Sequence, residues 1–164
     1  MMIKKNTNKE SFNSQKNKSS YTMEISAPTS IVFPLLCPIR EYEWIDGWKC
    51  DLIYSDSGVA EDLCVFKTNT PPFGEETWVC TRYELNKAIR YTRFSNNVIV
   101  VTDIELSDND DSKSFWTWTL SVLSMNETGN SIINSFTPDV MHDKLKGLEV
   151  LLEHFITTGQ KRIK

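Results

Sequence analysis

The chain has no close cysteine pair, no long apolar run, only two histidines and no excess of basic residues, and each absence removes a class of function. A structural zinc site uses neighbouring ligands such as C-x-x-C. Cys37, Cys50, Cys64 and Cys80 are never closer than thirteen positions and sit singly among apolar or strand-forming residues. Free buried thiols are therefore expected, and no metal. A bilayer span needs roughly 18 apolar residues in a row, and the N-terminus lacks the apolar stretch of a signal peptide. The expectation is a cytoplasmic protein with no integral membrane association. Phosphate-backbone binding draws on clustered Lys and Arg, whereas the formal net charge is -4, so no nucleic acid partner is expected. His142 and His154 lie about 120° apart around a helix and cannot form one paired site. No Gly-rich strand-to-helix loop cradles a phosphate. No cofactor is expected and no catalytic residue is assigned.

What is present is a core-forming composition: 164 residues, 40% of them apolar, with five Trp, five Tyr and eight Phe. That suits one domain. Residues 1–19, rich in Asn, Ser and Lys, have too little apolar surface to offset ordering entropy and are expected to be a disordered tail. The domain is placed at residues 20–164. Tyr21 opens an alternating strand, YTMEIS; a short helical run follows over IVFPLL, interrupted by Pro34, and a second over Ile39 to Trp44 before the Asp46-Gly47 turn. Period-two patterning then gives strands over 48–55, 63–68, 76–84, 88–95, 98–106 and 114–125, joined by short turn sequences that favour antiparallel pairing. Thr137 and Pro138 start a long helix that carries Met141, Leu145, Leu148, Leu152 and Phe155 on one stripe and ends at Gly159.

The stretch APTSIVFPLLCPIREYEWIDGWKCDLIYSDSGVAEDLCVFKT (27–68) and SMNETGN with the closing helix resemble the START-like (SRPBCC) superfamily, in a bacterial branch. That superfamily includes START lipid-binding domains, plant pollen-allergen proteins and polyketide cyclases, and the resemblance spans about residues 21–160. It implies the α+β helix-grip fold: a curved antiparallel sheet of about seven strands wrapped around the C-terminal helix, with two short helices after the first strand. It also implies a cavity between helix and sheet, with the occupant left open.

Within CPIREYEWIDGWKC (37–50), Glu41 and Glu43 point to different sides of a short helix, and Trp44 and Trp48 flank the turn, so a packed corner that doubles as a cavity wall is expected. Trp116, Trp118, Leu120 and Val122 share one face of their strand, and Val98, Val100, Thr102 and Ile104 one face of theirs; both sets should face the helix. In strand 76–84, Trp78, Cys80 and Arg82 share a face, and inward placement would bury the Arg82 cation. The residues expected to contact a ligand are Glu41, Trp44, Trp48, Trp78, Arg82, Tyr91, Trp116, Trp118, Leu148 and Leu152. The leading functional expectation is binding of a small hydrophobic or amphipathic molecule. A cyclase or dehydratase using a cavity carboxylate or tyrosine is the alternative, and a co-chaperone-like interaction domain a third. The oligomeric state is left open, a homodimer through a sheet edge included.

Overall fold

The computed structural model describes residues 12–110 and 112–163. Seven strands form one curved, unclosed antiparallel sheet in the order β1-β7-β6-β5-β4-β3-β2. They are β1 (Lys16–Ile25), β2 (Asp51–Tyr54), β3 (Val65–Thr70), β4 (Gly74–Glu84), β5 (Ala88–Phe94), β6 (Val98–Asp110) and β7 (Lys113–Ser124). Between β1 and β2 the chain forms a short helix, α1 (Thr29–Val32), which tightens into a 3-10 turn over Phe33–Leu36 where Pro34 removes a donor, and then a second 3-10 turn over Arg40–Glu43. All four cysteines are free and buried. Among the described residues no helix is long and apolar enough to cross a membrane.

The long C-terminal helix, α3 (Pro138–Thr158), is capped at Thr137, whose side chain accepts from the Val140 N–H, and closes at Gly159 in the left-handed conformation (φ 68°). Met141, Leu145 and Leu152 are buried beneath it. The helix also covers the edge of the sheet. Glu149 accepts from Tyr21 Oη (2.5 Å) and the Glu24 N–H (3.1 Å), and Glu153 accepts from the Ser26 N–H (3.0 Å). These carboxylates occupy groups that an edge strand would otherwise offer to another chain.

Several strand ends lie a few residues from expectation, as in β2, confined to Asp51–Tyr54, and β6, which runs on to Asp110, and two differences go further. The first strand begins at Lys16, not Tyr21, so residues 16–19 of the expected tail belong to β1; residues 1–11 lie outside the described residues. Lys16 to Ser20 pair with Leu123 to Thr119, and Asn17 Nδ2 donates to the carbonyls of Ile133 (2.9 Å) and Phe136 (3.1 Å). Backbone pairing and one side-chain anchor order a polar segment that hydrophobic burial could not. The second difference is α2 (Glu127–Ser135), a helix the sequence pattern did not suggest. Its Gly, Asn and Ser are poor helix formers, but Asn126 caps it by accepting from the Gly129 N–H (2.9 Å).

Gly129 is required by close approach: a Cβ there would overlap the backbone carbonyl of Asn97. Gly147, within α3, faces open space. Gly129→Ala is therefore expected to cost roughly 1–3 kcal/mol through overpacking. Gly147→Ala should instead stabilise the protein by up to about 1 kcal/mol through helix propensity. Urea unfolding of the two variants side by side checks the contrast, and equal effects at both positions would sink it.

Candidate functional site

The inner face of the sheet does not meet α3 everywhere. Between β4–β7, α3, the segment around Glu41 to Trp48 and the β3–β4 turn lies a cavity of about 190 Å³. A cavity of ~150 Å³ with an apolar lining accommodates benzene, so this one has room for a single ring or a short branched chain. Its walls are Trp48, Trp78, Tyr91, Ile104, Trp118 and Leu148, with Phe73 and Phe136 at one end. Three of the aromatic groups are fixed by their polar atoms: Trp48 Nε1 donates to the Pro38 carbonyl (2.8 Å), Trp78 Nε1 to Thr68 Oγ1 (2.8 Å) and Tyr91 Oη to the Leu36 carbonyl (3.1 Å). Such locked rings form a preformed site. Trp118 Nε1 and Thr102 Oγ1 are buried with no hydrogen-bond partner among the described residues.

Charged groups enter this apolar space from three directions. On β5, Arg93 lies opposite Trp78 and stacks its guanidinium over the indole at 4.2 Å from the ring centroid. It donates Nε and Nη2 to the carboxylate of Glu76 on β4 (2.8 Å for the shortest contact), and Glu76 is wholly buried. Nη1 makes no hydrogen bond among the described residues. Burial pushes the Glu76 carboxyl above the usual carboxylate range, against the pull of Arg93. Glu41, on the second 3-10 turn, is 7% exposed, and no described residue donates to its carboxyl. Burial raises it to about 8, with the positive field of Arg93 opposing. From α3, Lys144 stands at the mouth, its ammonium 5.9 Å from the Phe136 ring centroid.

The segment 37–50 is both packed corner and wall. Arg40 and Glu43 pair on the outside at 2.8 Å between Nη2 and Oε2, while Glu41 turns inward. Tyr42 Oη both donates to the Cys50 carbonyl and accepts from the Cys50 N–H, each at 2.8 Å. Of the residues expected to contact a ligand, Glu41, Trp48, Trp78, Tyr91, Trp118 and Leu148 come together on the cavity. Trp44, Trp116 and Leu152 do not line it. Trp44 is buried in the corner, donating to the Leu35 carbonyl (3.0 Å). Trp116 shares Trp118's face but lies two residues nearer α1, where its Nε1 donates to Ser114 Oγ (3.0 Å). Leu152 lies one helical turn past Leu148, where the core has closed.

Arg82 is corrected outright. A β-bulge between Cys80 and Arg82 shifts the alternation, so Arg82 faces outward, bonded to Glu84 (2.7 Å) and Glu105 (3.0 Å), and Tyr83 turns in against Phe33. The inward cation is Arg93. Its signal was present: Arg93 shares the period-two face of Tyr91, and Glu76 that of Trp78, which puts opposite charges on one face of paired strands.

No family model and no curated protein matches the sequence. Solved structures do resemble this one. Norcoclaurine synthase from Thalictrum flavum, in complex with dopamine and hydroxybenzaldehyde, superposes with a TM-score of 0.63 at 10% identity, covering 91% of each chain. DynU16, a protein of the dynemicin biosynthetic locus, gives 0.60 at 10% identity over 89% of this chain and 51% of its own, so this chain spans about half its length. Protein MLL2253 from Mesorhizobium loti gives 0.58 at 15% identity, over 84% of this chain and 98% of its own. At these identities the likeness is one of architecture: the chain has the helix-grip fold, an open antiparallel sheet closed around a long C-terminal helix.

Proposed function

We propose that the protein binds a small, mainly apolar molecule in the cavity between sheet and α3. The observation that carries this reading is a space of about 190 Å³ walled by hydrogen-bonded aromatic rings, into which Glu41 presents a carboxyl that receives no hydrogen bond from the described residues. A core evolved only for stability would fill such a space, because unfilled volume forfeits dispersion contacts. Burying apolar ligand surface at about 25 cal/mol per Å² supplies affinity. The unpaired Trp118 and Thr102 donors, each costing roughly 1–3 kcal/mol when unsatisfied, favour a ligand that carries an acceptor.

Native mass spectrometry of the full chain purified without added ligand, followed by denaturing extraction, tests the reading. A defined small molecule at near-stoichiometric occupancy is expected. Leu148→Trp, which projects an indole into the cavity from α3, should release it and reduce occupancy at least tenfold while leaving the fold intact by circular dichroism. Unchanged occupancy in that variant would place the ligand elsewhere and end the proposal.

A second reading, a proton-transferring enzyme of cyclase or dehydratase type, is favoured by the position of Glu41: buried, without a hydrogen-bond donor among the described residues and raised by burial to about 8, within the range useful to a general acid or base. Glu41→Gln separates the two, since it removes proton transfer but keeps the shape of the wall. An interaction domain would be expected to fill this volume with side chains, and the cavity weighs against it.

A further inference from the structure

We propose that the occupant of this cavity is a small apolar monocarboxylate, its ring or chain against Trp78, Trp118 and Leu148 and its carboxylate held between the Arg93 guanidinium, the Glu41 carboxyl and the Lys144 ammonium. The inference rests on the binding reading above and adds the chemistry of the polar end. It follows from a count of charges and donors. Arg93 and Glu76 cancel as a buried pair, yet Arg93 keeps Nη1 free of hydrogen bonds among the described residues. Lys144 lines the cavity and makes no ion pair within 4.0 Å among the described residues. Glu41 lines the same space, and burial raises its carboxyl to about 8, which favours the protonated, hydrogen-bond-donating form at pH 7. Thr102 and Trp118 add donors on the floor. The site thus offers a surplus of donors and one uncompensated cation, and an anion complements both. A carboxylate can accept from Arg93 Nη1 and from the Glu41 O–H together, as charge-assisted bonds in a water-poor space. The limited volume restricts the apolar part to about one ring.

This arrangement makes binding depend on the proton of Glu41. The groups around that carboxyl are Arg93 and Tyr91 from β5 and Cys37 and Cys50 from its own segment, with Glu76 on β4 paired behind Arg93 and Lys144 from α3 lining the same cavity. Tyr91, Cys37 and Cys50 are all raised by burial, so they stay neutral where Glu41 titrates. Once Glu41 ionises, it loses its donor and repels the ligand's charge.

The test uses sodium benzoate and nitrobenzene, planar molecules of nearly the same shape that differ in charge, titrated into the full chain by calorimetry and followed by amide chemical shifts. Benzoate is expected to bind at least tenfold more tightly than nitrobenzene at pH 7. Lys144→Met, a substitution at the exposed mouth, should weaken benzoate about 5- to 10-fold and leave nitrobenzene unchanged. With Glu41 titrating at about 8, benzoate affinity should fall about tenfold from pH 7 to pH 9, and Glu41→Gln should abolish that pH dependence. If nitrobenzene binds as tightly as benzoate, and neither pH nor Lys144→Met moves benzoate, recognition of a carboxylate is overturned while the cavity reading stands. If neither molecule binds at millimolar concentration, both fall.

Discussion

Arg93→Met is expected to destabilise the protein by about 3–5 kcal/mol, the cost of leaving one member of a buried ion pair alone. Glu76 is wholly buried and takes its hydrogen bonds from Arg93. Without the guanidinium, its charge has neither water nor a cation, so the carboxyl must fold protonated. Burial already raises Glu76, and Arg93 is what holds it down. The sign of the pH effect follows: removing Arg93 raises the folded-state value further above the unfolded one, so the variant's deficit grows as pH rises through the carboxylate range and beyond. Glu76→Gln with Arg93→Met should recover most of the loss, because neither partner is then stranded. Chemical denaturation of the single and double variants at pH 6 and pH 8 measures the cycle. A single variant within about 1 kcal/mol of the parent would show that the pair contributes little, and a double variant as unstable as the single would assign the loss to stacking on Trp78 instead.

That ion pair also shows where reading the sequence stops. The succession of strands along the chain, the closing helix and the inward faces of β6 and β7 were legible because each rests on a period: two along a strand, 3.6 around a helix. Trp116, Trp118, Leu120 and Val122 are buried as the alternation requires. Trp78, Tyr91, Trp118 and Leu148 on the cavity wall lie on such periodic elements, whereas Glu41 and Trp48 are expected there from the packed corner 37–50. What failed were features with no periodic trace. The bulge after Cys80 adds one residue to one strand and exchanges the roles of Arg82 and Tyr83, and nothing in TRYE marks it. The pairing of residues 16–19 with β7 depends on backbone groups that every residue possesses, so composition could not reveal it. Trp44 and Trp116 share the chemistry of the cavity aromatics, and only the three-dimensional end of the cavity excludes them.

Glu41→Gln is expected to change stability in opposite proportion to acidity, and the difference should be large. The Glu41 carboxyl moves from 4.5 to about 8 on folding, because burial penalises its charged form more than Arg93 rewards it. Between those values the folded protein holds a proton that the unfolded chain has released. Wild-type stability therefore falls with rising pH across that window and stops falling above about 8, whereas glutamine, which does not titrate, contributes no such slope. The gap between variant and parent should widen in favour of the variant by roughly 3–5 kcal/mol from pH 5 to pH 9. Other ionisable groups cancel, since both proteins share them. Urea unfolding of the pair at half-unit pH steps gives the curve directly, and parallel profiles would mean that Glu41 is solvated or paired and is no functional group of the cavity. A carboxylic acid inside an aromatic wall, where glutamine would fill the same volume and donate without titrating, is the feature on which both proposed readings turn. On the binding proposal that proton is donated into a hydrogen bond with an acidic ligand, on the enzymatic proposal it is transferred, and the benzoate titration and a turnover assay of Glu41→Gln distinguish the two.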